Sequence, residues 1–133
     1  MIKPVIALTL IAMFGLAGCA SVDESAPAGF ETLPVGNATH GAQLYDTSIG
    51  GQPTCKACHS LDGKPNAGPT FQGYGQIATQ RVSGESAEEY TYNGLIRPWV
   101  YVVPGYGNLM PVRYGQALSA QDIADLIAFM LAQ

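Results

Sequence analysis

The stretch Cys55-Lys56-Ala57-Cys58-His59 decides how this chain is read. It is a C-x-x-C-H pentapeptide, the pattern of a c-type haem attachment site. Two thiols at that spacing can each add to one vinyl group of the same haem. The histidine that follows lies where it can ligate the iron. No proline separates the cysteines, so the tight turn this requires is open to them. A bare C-x-x-C also serves zinc sites and thioredoxin-like redox pairs. Zinc would need a fourth ligand, and Cys19 and His40 are the remaining Cys and His. A thioredoxin-like pair should follow a strand, whereas Gly50-Gly51-Gln52-Pro53-Thr54 is turn-like.

Downstream of the pentapeptide, residues 62–69 (Asp-Gly-Lys-Pro-Asn-Ala-Gly-Pro) form a turn-rich loop. A metal-bound histidine usually donates its second ring N–H to a fixed acceptor, and a backbone carbonyl of this loop can serve. Ser86-Ala87-Glu88-Glu89 matches a capping box, which predicts a helix over 86–97 stopped by Pro98. Tyr90, Leu95 and Ile96 are its inward candidates. Residues 98–111 contain three prolines and two glycines, so they form a loop, with 100–103 extended at most. Apolar loops of this kind can fold over a haem and exclude water.

Within that loop Met110 offers a thioether to iron, and His/Met ligation closes both axial sites and raises the reduction potential. Of the other methionines, Met1 and Met13 fall in the leader, and Met130 falls on a helix stripe where core filling is the simpler role. His40 is a rival second ligand. Trp99, Tyr101 and Arg97 are candidates to reach haem propionates, or else they are packing residues and a surface charge.

Two helices should close the fold. Asn37 is a plausible cap for a short helix over 38–46, with Gly41, Leu44 and Tyr45 inward. Ser119 caps a last helix in which Ile123, Leu126, Ile127 and Met130 recur at i, i+3, i+4, i+7, widened by Phe129. Gln121, Asp122 and Asp125 are expected to face water.

Gly41 and Tyr45, the C-x-x-C-H at 55–59, Gly68-Pro69, Gly73, Met110-Pro111 and the final amphipathic helix occur in an order that resembles class I c-type cytochromes. The resemblance covers about residues 37–133. It implies a small all-α, loop-rich cytochrome c fold, its N- and C-terminal helices packed around one covalently attached haem c. It implies that the Pro69 carbonyl accepts the His59 N–H, that Gly41 meets Phe129 where the two helices cross, and that the haem edge is exposed near the thioether side. It also implies one-electron transfer between redox proteins rather than catalysis. The alternatives are a fixed haem subunit of a larger oxidoreductase complex and, with an open sixth site, a ligand-binding protein or enzyme.

Upstream lies an export signal. Lys3 precedes an apolar run over 5–16, which is too short to span a bilayer needing about 20 residues and suits a signal-peptide core. Leu16-Ala17-Gly18-Cys19 then resembles a bacterial lipobox, which implies lipidation of Cys19 after removal of 1–18. The alternatives are ordinary cleavage with an incidental cysteine, or a retained anchor. Residues 19–36 lack a helical or strand period and are expected to be a flexible tether, reaching about 60 Å if fully extended. The folded domain is then 37–133. Haem attachment to C-x-x-C-H also takes place outside the cytoplasm, so both signals place the protein at the periplasmic or outer face of a bacterial membrane.

Composition agrees with one loop-rich domain: 133 residues with 16 glycines and nine prolines. A haem would enlarge a core of that size, which is otherwise marginal. The net charge of −4 excludes the basic footprint of a nucleic-acid binder. Without residues 1–18 the chain has five Lys/Arg against ten Asp/Glu. That excess predicts a partner with a basic docking patch, approached in a salt-dependent way. The single histidines and scattered carboxylates offer no catalytic constellation.

Overall fold

In the computed structural model residues 29–133 are described, and they form five helices and no strand. The helices are α1 (Ala38–Tyr45), α2 (Tyr74–Ala78), α3 (Ala87–Ile96), α4 (Tyr114–Ala117) and α5 (Ala120–Leu131), with single 3-10 turns at Phe30–Thr32 and Cys55–Ala57. The expected leader over 1–18, Cys19 and the first part of the tether lie outside the described residues. No helix among the described residues is long and apolar enough to cross a membrane.

The helix starts follow local chemistry. Asn37 accepts from the amides of Thr39 (2.9 Å) and His40 (3.3 Å), satisfying donors that the first turn of α1 cannot pair. Ser86 accepts from the Glu89 amide at 3.1 Å and opens α3. The reciprocal capping box forms at Ser119, whose side chain takes the Asp122 amide while the Asp122 carboxylate takes the Ser119 amide. Helix α3 ends at Ile96 because the residue before Pro98 is pushed out of helical geometry. Residues 98–113 then run without a strand.

The core forms where α1 crosses α5, the most extensive helix–helix contact of the fold. Helix α5 buries Ile123, Leu126, Ile127, Phe129 and Met130. Gly41 sits at the crossing: a Cβ there would overlap the Asp125 carbonyl and come within 2.7 Å of the Phe129 Cβ. Only hydrogen fits, so the two helix backbones touch. Tyr45, one turn later, packs its ring 5.3 Å from that of Phe129.

Two expectations change. Asp125 does not face water but is 2% exposed. Its carboxylate accepts from the Asn37 amide at 2.6 Å, from His40 Nδ1 at 2.7 Å and from Gln121 Nε2 at 2.8 Å. The α1–α5 crossing covers it, and the donors at the start of α1 make burial of a carboxylate tolerable. The pairing also accounts for His40, which does not line the cleft described below.

The tether expected over 19–36 is docked over its last part. Phe30 and Leu33 pack against the core, with the Phe30 ring 5.9 Å from that of Tyr92. Gln121 Nε2 donates to the Val35 carbonyl at 3.0 Å. Two apolar side chains among polar and Pro/Gly neighbours give no period to read, yet even their partial burial is favourable.

Two outcomes follow from this frame. Gly41→Val forces α1 away from α5 and should lower stability by about 1–3 kcal/mol or more, read as a fall in the thermal midpoint; an unchanged midpoint contradicts the crossing. The second concerns Asp125. Burial works to raise its pKa, but the Asn37, His40 and Gln121 donors outweigh burial and hold the carboxyl below its usual value. A depressed folded value contributes stability that is fully present above the unfolded pKa of about 3.9 and is lost as pH falls through the folded value. Asp125→Asn should therefore be less stable at neutral pH and show a smaller loss between pH 5 and pH 3 in a denaturant titration series.

Candidate functional site

The pentapeptide folds as a unit. Thr54 caps the 3-10 turn, accepting from the Ala57 amide at 3.2 Å. The amides of Cys58 (3.1 Å) and His59 (2.9 Å) both return to the Cys55 carbonyl. This winding turns Cys55, Cys58 and His59 toward one cleft, which all three line.

The loop after the motif is tied back onto it. The Gly68 amide donates to the Cys58 carbonyl at 2.9 Å, the Phe71 amide to the Ser60 carbonyl at 2.7 Å, and Asn66 Nδ2 to the Ala57 carbonyl at 3.0 Å. These bonds deliver the Pro69 carbonyl to His59 Nδ1 at 2.7 Å. A carbonyl can only accept, so Nδ1 carries the proton and Nε2 keeps its lone pair. Burial lowers the His59 pKa, against a smaller opposing effect of the Pro69 carbonyl, and the neutral ring is the metal-binding form. Gly68 is required by the ring itself: a Cβ there would lie 2.5 to 2.9 Å from three of its atoms.

Other neighbours complete the support. The Phe71 ring stacks on the imidazole at 4.5 Å, with 10° between planes. Tyr45 donates to the His59 carbonyl at 2.5 Å and Tyr114 to the Pro53 carbonyl at 2.5 Å. Both ends of the motif are thus clamped by phenols from α1 and α4. Burial pushes the Tyr114 hydroxyl up to about 12, with smaller effects from Cys55 and Cys58, so this phenol stays a donor at neutral pH.

The cleft holds about 1200 Å³ unfilled by protein atoms, partly open to solvent. One wall is the motif and the loop to Phe71, and another is α3 through Tyr90, Thr91, Gly94 and Leu95. The segment 98–111 supplies a third, including Met110, and Tyr114 and Met130 also contribute. Among the described residues no Asp, Glu, Lys or Arg lines it. Met130 is 7% exposed and belongs to the buried core as well.

These residues suit a covalently held haem. Two thiols stand at the wall of an apolar cleft, beside an imidazole whose outer nitrogen is aimed by a fixed acceptor, and a thioether enters from another segment. Among the described residues no group of three His, Cys, Asp or Glu could hold a metal ion, and no strand precedes the cysteines.

The structure thus brings Cys55, Cys58, His59, Pro69 and Met110 to one cleft. Tyr101 also lines it, but Trp99 and Arg97 do not. Trp99 is half exposed, and Arg97 donates to Asn93 Oδ1 at 2.5 Å. Phe71 was missed. An isolated Phe in a loop has no sequence signal that marks it as the histidine's stacking partner.

Comparison with curated proteins gave no match. A family model described as "Cytochrome c" matches residues 38–133, most of the chain. That family carries covalently attached haem c, typically one per domain, and the cleft of this chain is shaped to take one. The chain belongs to the cytochrome c family.

Proposed function

We propose that this cytochrome c domain is a membrane-tethered carrier of single electrons between redox proteins, with Cys55, Cys58, His59 and Met110 holding its haem. The observation that carries this reading is the convergence of those four side chains on one cleft that, among the described residues, has no charged side chain in its lining. Haem c supplies a one-electron iron couple. The chain's own part is to hold it still. Cys55 and Cys58 supply the covalent bonds, and Pro69 and Phe71 fix the His59 ring so that its Nε2 is presented in one orientation. Met110 brings a second, soft ligand from a different segment. With His59 and Met110 both holding it, the iron of a bound haem would have no place left for a substrate. The apolar walls would leave few polar groups to rearrange around a bound haem, which limits the reorganisation that accompanies a change of charge.

The tether is the second part of the proposal. Cys19, lipidated after removal of 1–18, anchors the domain at the outer face of a bacterial membrane. Docking begins at Phe30, so about ten residues join anchor to domain. Even fully extended they span about 35 Å, little more than half the reach expected from sequence. A leash of that length keeps the haem close to the bilayer and raises its effective concentration toward membrane-bound partners.

The reduced, exported protein should give a c-type spectrum that carbon monoxide leaves unchanged. Met110→Ala should open the sixth site, so that carbon monoxide now shifts the spectrum and the reduction potential falls. A prompt shift in the wild type would replace the carrier reading by ligand binding or catalysis. Separately, Cys19→Ser should move the protein from the membrane to the soluble periplasmic fraction, and continued membrane association would remove the lipid anchor.

A further inference from the structure

Most glycines of this chain have a visible reason. At Gly41 and Gly75 a Cβ would overlap a carbonyl of α5, and at Gly68 it would meet the His59 ring. Several others sit in loops at positive φ. Gly94 has neither reason. It lies inside α3 with helical backbone, and no other part of the described chain comes within 4 Å of a Cβ built on it. Glycine is among the poorest residues for a helix interior. Nor does Gly94 end the helix. The C-cap is Arg97, whose amide returns to the Asn93 carbonyl.

Helical spacing puts Gly94 one turn after Tyr90 and three residues after Thr91, on the same face. All three line the cleft, as does Leu95. The adjoining face, through Asn93 and Arg97, borders a smaller outer pocket that Tyr90, Gly94 and Tyr101 share with the cleft. That pocket is polar where the cleft is not. Asn93 donates to Glu85 at 3.2 Å and accepts from Arg97 at 2.5 Å. Helix α3 is also tied down beside Gly94. The Thr91 hydroxyl donates to the Ala87 carbonyl at 2.6 Å, so at 3.1 Å it accepts from the Tyr74 hydroxyl of α2. On the other side Tyr92, Leu95 and Ile96 are buried in the core. A side chain added at position 94 therefore cannot be accommodated by a retreat of α3.

We propose that Gly94 is the point at which the backbone of α3 lies directly against the haem, and that it is a positioning residue for the ring. The inference deepens the reading of the cleft and rests on His59 and Met110 holding the iron. A flat ring is fixed at the wall of the cleft by Cys55 and Cys58, and its iron must come within reach of ligands from two different segments. A helix surface without a Cβ lets the ring settle closer than any side chain would. The outer pocket does not account for the glycine, because Asn93 and Arg97 border the same pocket with full side chains. The poor helix propensity of glycine is offset by contact of the backbone with the cofactor, as glycine elsewhere marks close approach of the chain to a ligand.

The test uses the haem-loaded chain carrying Gly94→Ala or Gly94→Val. At an open helix position alanine in place of glycine stabilises. Here both variants should instead lower the thermal midpoint of the loaded protein, valine more than alanine. Displacing the ring should also loosen Met110, so the reduction potential should fall in the same order. Reduced Gly94→Val should bind carbon monoxide, whereas the wild type does not. If Gly94→Ala raises the midpoint and leaves the potential unchanged, the open space belongs to the outer pocket and the proposal is overturned. If Gly94→Val yields no loaded protein, Gly94→Ala decides by the same two measurements. A wild type that binds carbon monoxide shows instead that the ligand reading has failed, and the midpoint of Gly94→Ala then decides the contact at Gly94 by itself.

Discussion

The hydrogen bond from His59 Nδ1 to the Pro69 carbonyl, 2.7 Å long, is the constraint on which the site depends. It decides which nitrogen of the ring holds the proton, and so which nitrogen is available to a metal. Much of the loop from Ser60 to Phe71 exists to place that one carbonyl. Ser60 is used twice, its carbonyl accepting from Phe71 and its hydroxyl donating to the Lys64 carbonyl at 2.6 Å. Gly68 is glycine because the imidazole occupies the space of its side chain. Phe71 then stacks on the ring and joins it to the core through Tyr45. A short run of turns thereby acquires the rigidity that a metal ligand requires, without a long helix or a strand.

The frame around this loop is small and uses close approach in place of length. At Gly41 the backbones of α1 and α5 touch, and Asp125 beneath the crossing gathers the donors of Asn37, His40 and Gln121. A buried carboxylate is costly unless its oxygens are occupied. Here each donor lies at 2.8 Å or less, and two of the three come from the start of α1. The network therefore locks the register of the two helices as well as satisfying the charge. Tyr45 links that crossing to the haem motif, since its ring packs on Phe129 and its hydroxyl holds the His59 carbonyl. Frame and site are one structure, and a shift of α1 would be felt at the histidine.

The loop 98–113 serves in the opposite sense, as a wall that is not sealed on its outer side. Its side chains divide between cleft and solvent, with Tyr101, Val103 and Met110 lining the cleft while Trp99, Val100 and Val112 are exposed. Met110 is held partly against the core while its neighbour Leu109 stands in water.

Much of this protein was determined by local sequence alone. The spacing of Cys55, Cys58 and His59 specifies a covalent haem site because the residues are contiguous and their geometry is set by one turn. Asn37, Ser86 and Ser119 mark helix starts because a cap bonds only to amides two or three positions on. Met110 could be singled out as a candidate because Met130 falls on a helix stripe while Met110 lies in a loop. Tertiary structure decided what depends on distant partners. Periodicity placed Asp125 outside, and only the crossing of α1 shows it covered and bonded to residues 85 and 88 positions away. The docking of this stretch depends on partners far along the chain, Tyr92 for the Phe30 ring and Gln121 for the Val35 carbonyl. The exposure of Trp99, Leu109 and Val112 could not be read either, since apolar residues in a loop look the same whether they cover a cofactor or face water. Bonds that close within a few residues are written in order along the chain, whereas burial is a property of whatever the rest of the chain brings alongside.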